Sequence, residues 1–178
     1  MKFPGNLTKC FDKDLYLMFL DGFEFVPDFD SEDFTAWFRT PATDHRNYLC
    51  RFAQEGTGGL FCFWKKDGGD DYSNSPVIYL GSEGERGVAA RNFDDFLRVL
   101  SSGFILFSLV FAGKQYHFSE AEEDPEEKKE NQATFDEFVS WLRAECSIEP
   151  AKDVLRMQSD LADLNAEFQS WIEARGKT

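Results

Sequence analysis

The chain predicts an α+β fold: a mixed or antiparallel sheet packed with helices, followed by a C-terminal two-helix extension. Three observations predict it. From Gly58 to Leu100 the sequence reads as two strands, a Gly-rich hairpin, a third short strand and an amphipathic helix. Twenty phenylalanines and an apolar fraction of 42% in 178 residues supply a core for one ordinary domain. Past Phe118 the composition turns abruptly acidic and then resumes with helical periodicity.

The elements follow in order. The apolar run Leu15-Tyr16-Leu17-Met18-Phe19-Leu20 has no periodicity that separates strand from helix and is read as a strand. Asp30 is placed to cap a helix, with Phe29 stapled onto Phe34 and with Phe34, Trp37 and Phe38 on one face. Ser31, Glu32 and Asp33 fill its first turn, where the helix dipole favours acid, and Pro41 ends it. Tyr48-Leu49-Cys50-Arg51-Phe52-Ala53 is a strand, and Gly56, Gly58 and Gly59 form the turn after it. Leu60-Phe61-Cys62-Phe63-Trp64 is apolar at every position, which predicts a strand covered on both faces.

Lys65 through Pro76 is a polar loop, and Val77-Ile78-Tyr79-Leu80 is the next strand. Gly81, Gly84 and Gly87 permit a wide hairpin into Val88-Ala89-Ala90. Asn92 caps a helix whose Phe93, Phe96, Leu97 and Leu100 recur at i, i+3, i+4 and i+7, and Gly103 stops it. Residues 119–131 hold seven acidic residues and two lysines and are read as a solvated linker. Thr134 and Glu137 then form a capping box ahead of Phe135, Phe138, Val139 and Leu142. After Pro150, Val154, Met157, Leu161, Leu164, Phe168 and Trp171 define a heptad seam on a last helix. That seam either packs back on the core or meets a partner. The expected division is an α+β domain at 1–118, the acidic linker at 119–131 and a helical extension at 132–178.

A net charge of −14 repels nucleic acid and anionic membrane surfaces and attracts a basic partner. The plainer account is that the acid keeps a Phe-rich chain in solution. The apolar run Phe104-Ile105-Leu106-Phe107-Ser108-Leu109-Val110-Phe111-Ala112 is about half of what spans a bilayer, so no membrane segment is expected. Nothing near Met1 reads as a secretory signal. Cys10, Cys50, Cys62 and Cys146 are scattered and only His45 and His117 accompany them, so no metal or other cofactor is expected, and a reduced, cytoplasmic protein is the simplest account.

The candidates for chemistry are weak. Gly81-Ser82-Glu83-Gly84-Glu85-Arg86-Gly87 leads into a strand and lacks the Lys-Ser/Thr of a phosphate loop, so it reads as a hairpin turn. Ser82 is not in a nucleophile elbow. Glu83 and Glu85, two apart on an exposed turn, are ordinary solvated acid rather than a glycosidase pair. Asp67, Asp70 and Asp71 lack the alternating ligands and closing glutamate of a calcium loop. No catalytic residue is assigned.

Five pieces in a fixed order resemble the SUKH superfamily, which takes in a yeast cell-wall synthesis regulator and many bacterial immunity proteins. They are Phe25-Val26-Pro27-Asp28-Phe29; Gly58-Gly59 leading to Trp64; Ser75-Pro76-Val77-Ile78-Tyr79-Leu80; the acidic hairpin with Val88-Ala89-Ala90; and the helix bearing Phe96-Leu97. The likeness covers residues 25–103. The resemblance implies a cytoplasmic, non-catalytic α+β protein that neutralises a cognate toxin by binding it. The alternative it implies is a regulatory or scaffold protein of the cell-wall type, with the C-terminal seam as partner surface. The expected partner is a basic toxin domain, met by a monomer or weak homodimer. The expected contacts are Asp67, Asp70, Asp71, Glu83, Glu85 and Arg86, on two loops taken to share one end of the sheet. Asp28, Asp30, Glu32 and Asp33 are the second choice.

Overall fold

The computed structural model describes residues 1–13, 16–18, 20–26, 34–38, 45–105, 110, 117–121 and 124–175. Helix α1 spans Gly5–Lys13, and strands β1 (Tyr16–Leu17) and β2 (Phe23–Phe25) follow it. A short helix α2 (Thr35–Phe38) and a 3-10 turn (His45–Asn47) lead to β3 (Leu49–Gln54), β4 (Leu60–Trp64), β5 (Val77–Leu80) and β6 (Arg86–Ala90). Further elements among the described residues are α3 (Phe93–Leu100), α4 (Phe118–Ala121), α5 (Pro125–Trp141), a π-helical turn (Leu142–Cys146), α6 (Val154–Ser159) and α7 (Ala162–Arg175).

The fold is α+β. Among the described residues six strands form one antiparallel sheet in chain order, β1 through β6, so each strand pairs with its sequence neighbour. Helices cover both faces, as the uniformly apolar β4 predicts. Side chains alternate across a strand. Phe61 and Phe63 therefore enter one cluster with Leu7 and Cys10 of α1, Phe93 and Phe96 of α3, and Phe138 of α5. Leu60, Cys62 and Trp64 enter the other, with Phe34, Phe38 and, from α7, Phe168, Trp171 and Ile172.

Phe52 is the hub of the first cluster. Its ring lies 4.3 Å from Phe63, stacked, and meets Phe93 and Phe96 edge-on at 5.4 and 5.5 Å. A fully buried side chain of this size contributes about 2–3 kcal/mol from the area it removes from water. A bulge between Arg51 and Ala53 shifts the β3 register, which lets Phe52 and its neighbour Ala53 both enter this cluster.

Asn92 caps α3 as expected, its side chain accepting from the Asp95 amide at 2.9 Å, and Gly103 beyond it has φ +73°. Other expectations need correcting. Of the Leu15 to Leu20 run read as a strand, Tyr16 and Leu17 are strand, Met18 and Leu20 are turn, and Leu15 and Phe19 lie outside the described residues. Asp30 and Phe29, the expected cap and staple, lie outside the described residues, as does most of that helix; its described part is Thr35–Phe38. Residues 125–131, expected in a linker, are the first turns of α5. Asp124 caps that helix, Pro125 opens it, and Glu126 and Glu127 sit where the dipole favours acid. Thr134 is therefore not a cap; its hydroxyl donates back to the Glu130 carbonyl inside the helix. The expected last helix is two helices, broken at Asp160 and Leu161.

Candidate functional site

Connections in an antiparallel meander alternate between the two ends of the sheet. The loop after β4, residues 65–76, lies at one end, and the hairpin after β5, residues 81–85, lies at the other. The six expected contact residues therefore do not form one surface: Asp67, Asp70 and Asp71 sit at one end, and Glu83, Glu85 and Arg86 at the opposite one. The shared-end expectation fails because adjacent loops of a meander cannot face the same way.

At the 65–76 end, Asp67 and Asp70 are exposed. Asp71 is engaged within the molecule: its carboxylate accepts from the Ser73 amide at 3.0 Å and pairs with Lys2 at 3.2 Å. Bonding to Ser73 first, and to Lys2 as well, holds that carboxyl down at about 2. The Lys2 amide donates to the Asp70 carbonyl at 2.6 Å and the Tyr72 amide to the Lys2 carbonyl at 2.7 Å, which ties the N-terminal strand of chain to the loop. The second-choice residues Asp28, Asp30, Glu32 and Asp33 lie outside the described residues.

The other end is built from three turns. Residues 18–22 join β1 to β2, 55–59 join β3 to β4, and 81–85 join β5 to β6. They pack on one another: the Gly56 amide donates to the Asp21 carbonyl at 2.8 Å, and a Cβ on Gly22 would stand 3.4 Å from Gly56 Cα. Together they gather Asp21, Glu55, Glu83 and Glu85. Glu83 and Asp21 are exposed, and the Glu85 carboxylate turns inward to accept the Glu83 amide at 3.1 Å. Arg86 is not a free contact residue. Its guanidinium donates to the Trp37 carbonyl at 2.7 Å, while the Trp37 indole donates to the Gly81 carbonyl at 2.6 Å, so the pair clamps α2 to the hairpin.

Glu55 is the residue sequence reasoning missed. It is buried, and its carboxyl accepts from the Tyr79 hydroxyl and, at 2.7 Å, from Thr57. Burial raises its proton affinity, and the nearby Asp21 and Glu85 add to the rise, against the pull of the two hydroxyls. Partial burial of its carboxyl raises Asp21 likewise, although the residue as a whole is exposed. Gly59 leaves the room: a Cβ there would stand 2.6 Å from the Tyr79 hydroxyl and would collide with Glu55. The signal available in the sequence was the pairing of Asp21 and Glu55 with following glycines, and it becomes legible only once the meander puts both turns at one end.

Beside these turns stand two apolar side chains in solvent. Tyr16, on edge strand β1, is 53% exposed and Met18, in the 18–22 turn, is 64% exposed, with the tyrosine hydroxyl 3.6 Å from the methionine sulfur. The C-terminal seam, in contrast, is turned inward. Val154, Leu161, Phe168 and Trp171 are buried, and Met157 and Leu164 pack against the two clusters.

Among the described residues no group of three or more His, Cys, Asp or Glu could hold a metal ion, and no described helix is long and apolar enough to cross a membrane. Comparison with known proteins finds no matching family model, no matching curated protein and no matching solved structure.

Proposed function

We propose that this chain is a non-catalytic binding protein of the immunity type, acting in the cytoplasm by docking the three-turn end of its sheet on a basic toxin domain and covering that domain's working surface. The single observation that carries the reading is the juxtaposition at that end of exposed acid, Asp21 and Glu83, with the exposed apolar pair Tyr16 and Met18. Charge steers a basic partner into place, and an aromatic or methionine anchor supplies the affinity that rim charges do not. The resemblance of residues 25–103 to the SUKH superfamily supports the same reading.

The experiment is co-expression of the full chain with the toxin domain encoded beside its gene, scored as cell survival and followed by binding kinetics with purified proteins. Glu83→Lys is expected to slow association at least tenfold at low salt, and Met18→Ala to speed dissociation. Asp67→Lys, at the far end, is expected to change neither. No protection by the unaltered chain, or an equal loss from Asp67→Lys and Glu83→Lys, overturns the proposal.

A further inference from the structure

A cavity of about 260 Å³ opens beside the last residues of β6, at the far end of that strand from the 81–85 hairpin and apart from the proposed docking surface. Three elements enclose it. β6 ends on Ala89 and Ala90, whose methyl groups stop short of space that larger residues fill along β4 and β5. Helix α3 brings Asp95, Arg98 and Val99, which share one face because they are three and four residues apart. The break between α6 and α7 makes the third wall: α6 stops at Ser159, and Asp160 and Leu161 cross the cavity beside Met157 and Gln158. The volume lies just below that of clefts for drug-sized ligands, which suits a smaller metabolite.

The buried part of the lining is apolar, from Ala90, Val99 and Leu161, with Met157 half-buried beside them. The outer part carries two charges of each sign, Arg91 and Arg98 against Asp95 and Asp160. These charges are held in place without being used up. The Arg91 guanidinium donates to the Asp160 carbonyl, and Arg98 Nε stands 3.8 Å from Asp95 Oδ1, beyond hydrogen-bond length. Among the described residues neither guanidinium has another partner, so both keep N–H groups to donate. The other Asp95 oxygen takes only a long bond from the Asn92 amide, at 3.4 Å. The Gln158 amide donates to the Ala89 carbonyl at 2.9 Å, which fixes α6 on β6 and leaves the Gln158 oxygen able to accept.

We propose that this cavity is a binding site for a free amino acid with an apolar side chain. A simple anion would meet the two aspartates and a simple cation the two arginines, whereas a zwitterion satisfies both. Arginine recognises a carboxylate through paired N–H donors, so Arg91 and Arg98 take the α-carboxylate. Asp95 and the Gln158 oxygen accept from the α-ammonium. The side chain leaves water for the surface of Val99, Met157 and Leu161. Each exposed ion pair contributes little alone, so selectivity comes from meeting both charges at once with the apolar tail buried. The end of a peptide carries only one of the two charges and is the poorer ligand.

The test titrates the full chain with L-leucine and follows its backbone amides by two-dimensional NMR. Saturable shifts below about 10 mM are expected at Ala90, Arg91 and Met157, with none at Tyr16 or Glu83 on the docking end. L-Leucinamide lacks the carboxylate and N-acetyl-L-leucine lacks the ammonium; each is expected to bind about tenfold more weakly, or worse. Arg98→Gln is expected to weaken L-leucine to a similar degree. Should that variant fail to fold, the three compounds on the unaltered chain decide alone. No saturation by about 10 mM L-leucine, shifts centred elsewhere, either analogue matching L-leucine, or full affinity in a folded Arg98→Gln overturns the proposal. Protection against a toxin is read separately by co-expression, so the two proposals fail independently.

Discussion

The Tyr79 hydroxyl donates a hydrogen bond to the buried carboxyl of Glu55, joining the second-last residue of β5 to the turn between β3 and β4. A carboxyl in that position binds its proton more tightly in the folded chain than in the unfolded one, where its ordinary value is 4.5. The sign follows from linkage: with the folded affinity raised, its contribution to stability is complete below the unfolded value and is lost as pH rises through the folded one.

Glu55→Gln keeps an oxygen acceptor for Tyr79 and Thr57 but cannot ionise. The variant is therefore expected to gain stability relative to the unaltered chain as pH rises above 4.5, the ordinary value of this carboxyl, through the range in which the raised group titrates. Urea denaturation of both proteins across that range checks it, and a constant difference between them refutes it. Carboxyl groups remote from Glu55 titrate alike in the two proteins and cancel in the comparison, while Asp21 and Glu85, whose charges act on Glu55, contribute to the difference.

Among the described residues strand β6 is a sheet edge, and side-chain amides stand in for a seventh strand. Gln158 and Gln169 donate to the Ala89 and Arg86 carbonyls at 2.9 Å each, and Asn165 accepts from the Val88 amide at 3.1 Å. Covering an edge in this way prevents pairing with another chain. Asn165→Ala is expected to cost about 1 kcal/mol. It should also speed hydrogen exchange at the Val88 amide while leaving that of Phe61, in the sheet centre, unchanged. Equal effects at both amides would mean that the substitution acts globally and not at the edge.

Phe168 is fully buried 5.0 Å from the Trp64 ring and 6.1 Å from Trp171. Phe168→Ala is expected to cost about 3–5 kcal/mol, read from a shift in the urea midpoint. Deleting residues 132–178 exposes the apolar face of β4 and β5 and is expected to give insoluble protein. A soluble, folded truncation would show that α7 is dispensable to the sheet.

The parts of the fold legible in the sequence are those where local chemistry and tertiary environment agree. β4 and β5 are uniformly apolar because both faces are covered, and α3 carries its cap, its periodicity and its stop within twelve residues of chain, from Asn92 to Gly103. α1 escapes such a reading because only Leu7 and Cys10 of its nine residues are buried, too few to set a period. β2 is three residues long and carries no turn signal of its own beyond Gly22. The start of α5 was present in Asp124-Pro125-Glu126-Glu127, a cap, a first-turn proline and dipole-matched acid; the absence of apolar residues there reports an exposed helix, and composition alone cannot tell that from a linker.

The candidate site was half legible. Glu83 lies where the sequence places it, on an exposed hairpin, but its neighbours in space come from turns far away in sequence. Asp21 and Glu55 join it only through the alternation of a six-stranded meander, which no local pattern encodes. Tyr16 and Met18 look apolar and hence internal in a run of apolar residues; their exposure follows from β1 being an edge strand of two residues.

Nearest-neighbour strand order also has a bearing on synthesis at the ribosome. Each strand emerges with its partner already made, so the hydrogen-bonded ladder can assemble progressively from β1 to β6. One face of that ladder must then wait, part-covered by Phe34 and Phe38, until Phe168 and Trp171 have been translated. During that interval the nascent chain is at its most adhesive, and chaperone dependence should concentrate there.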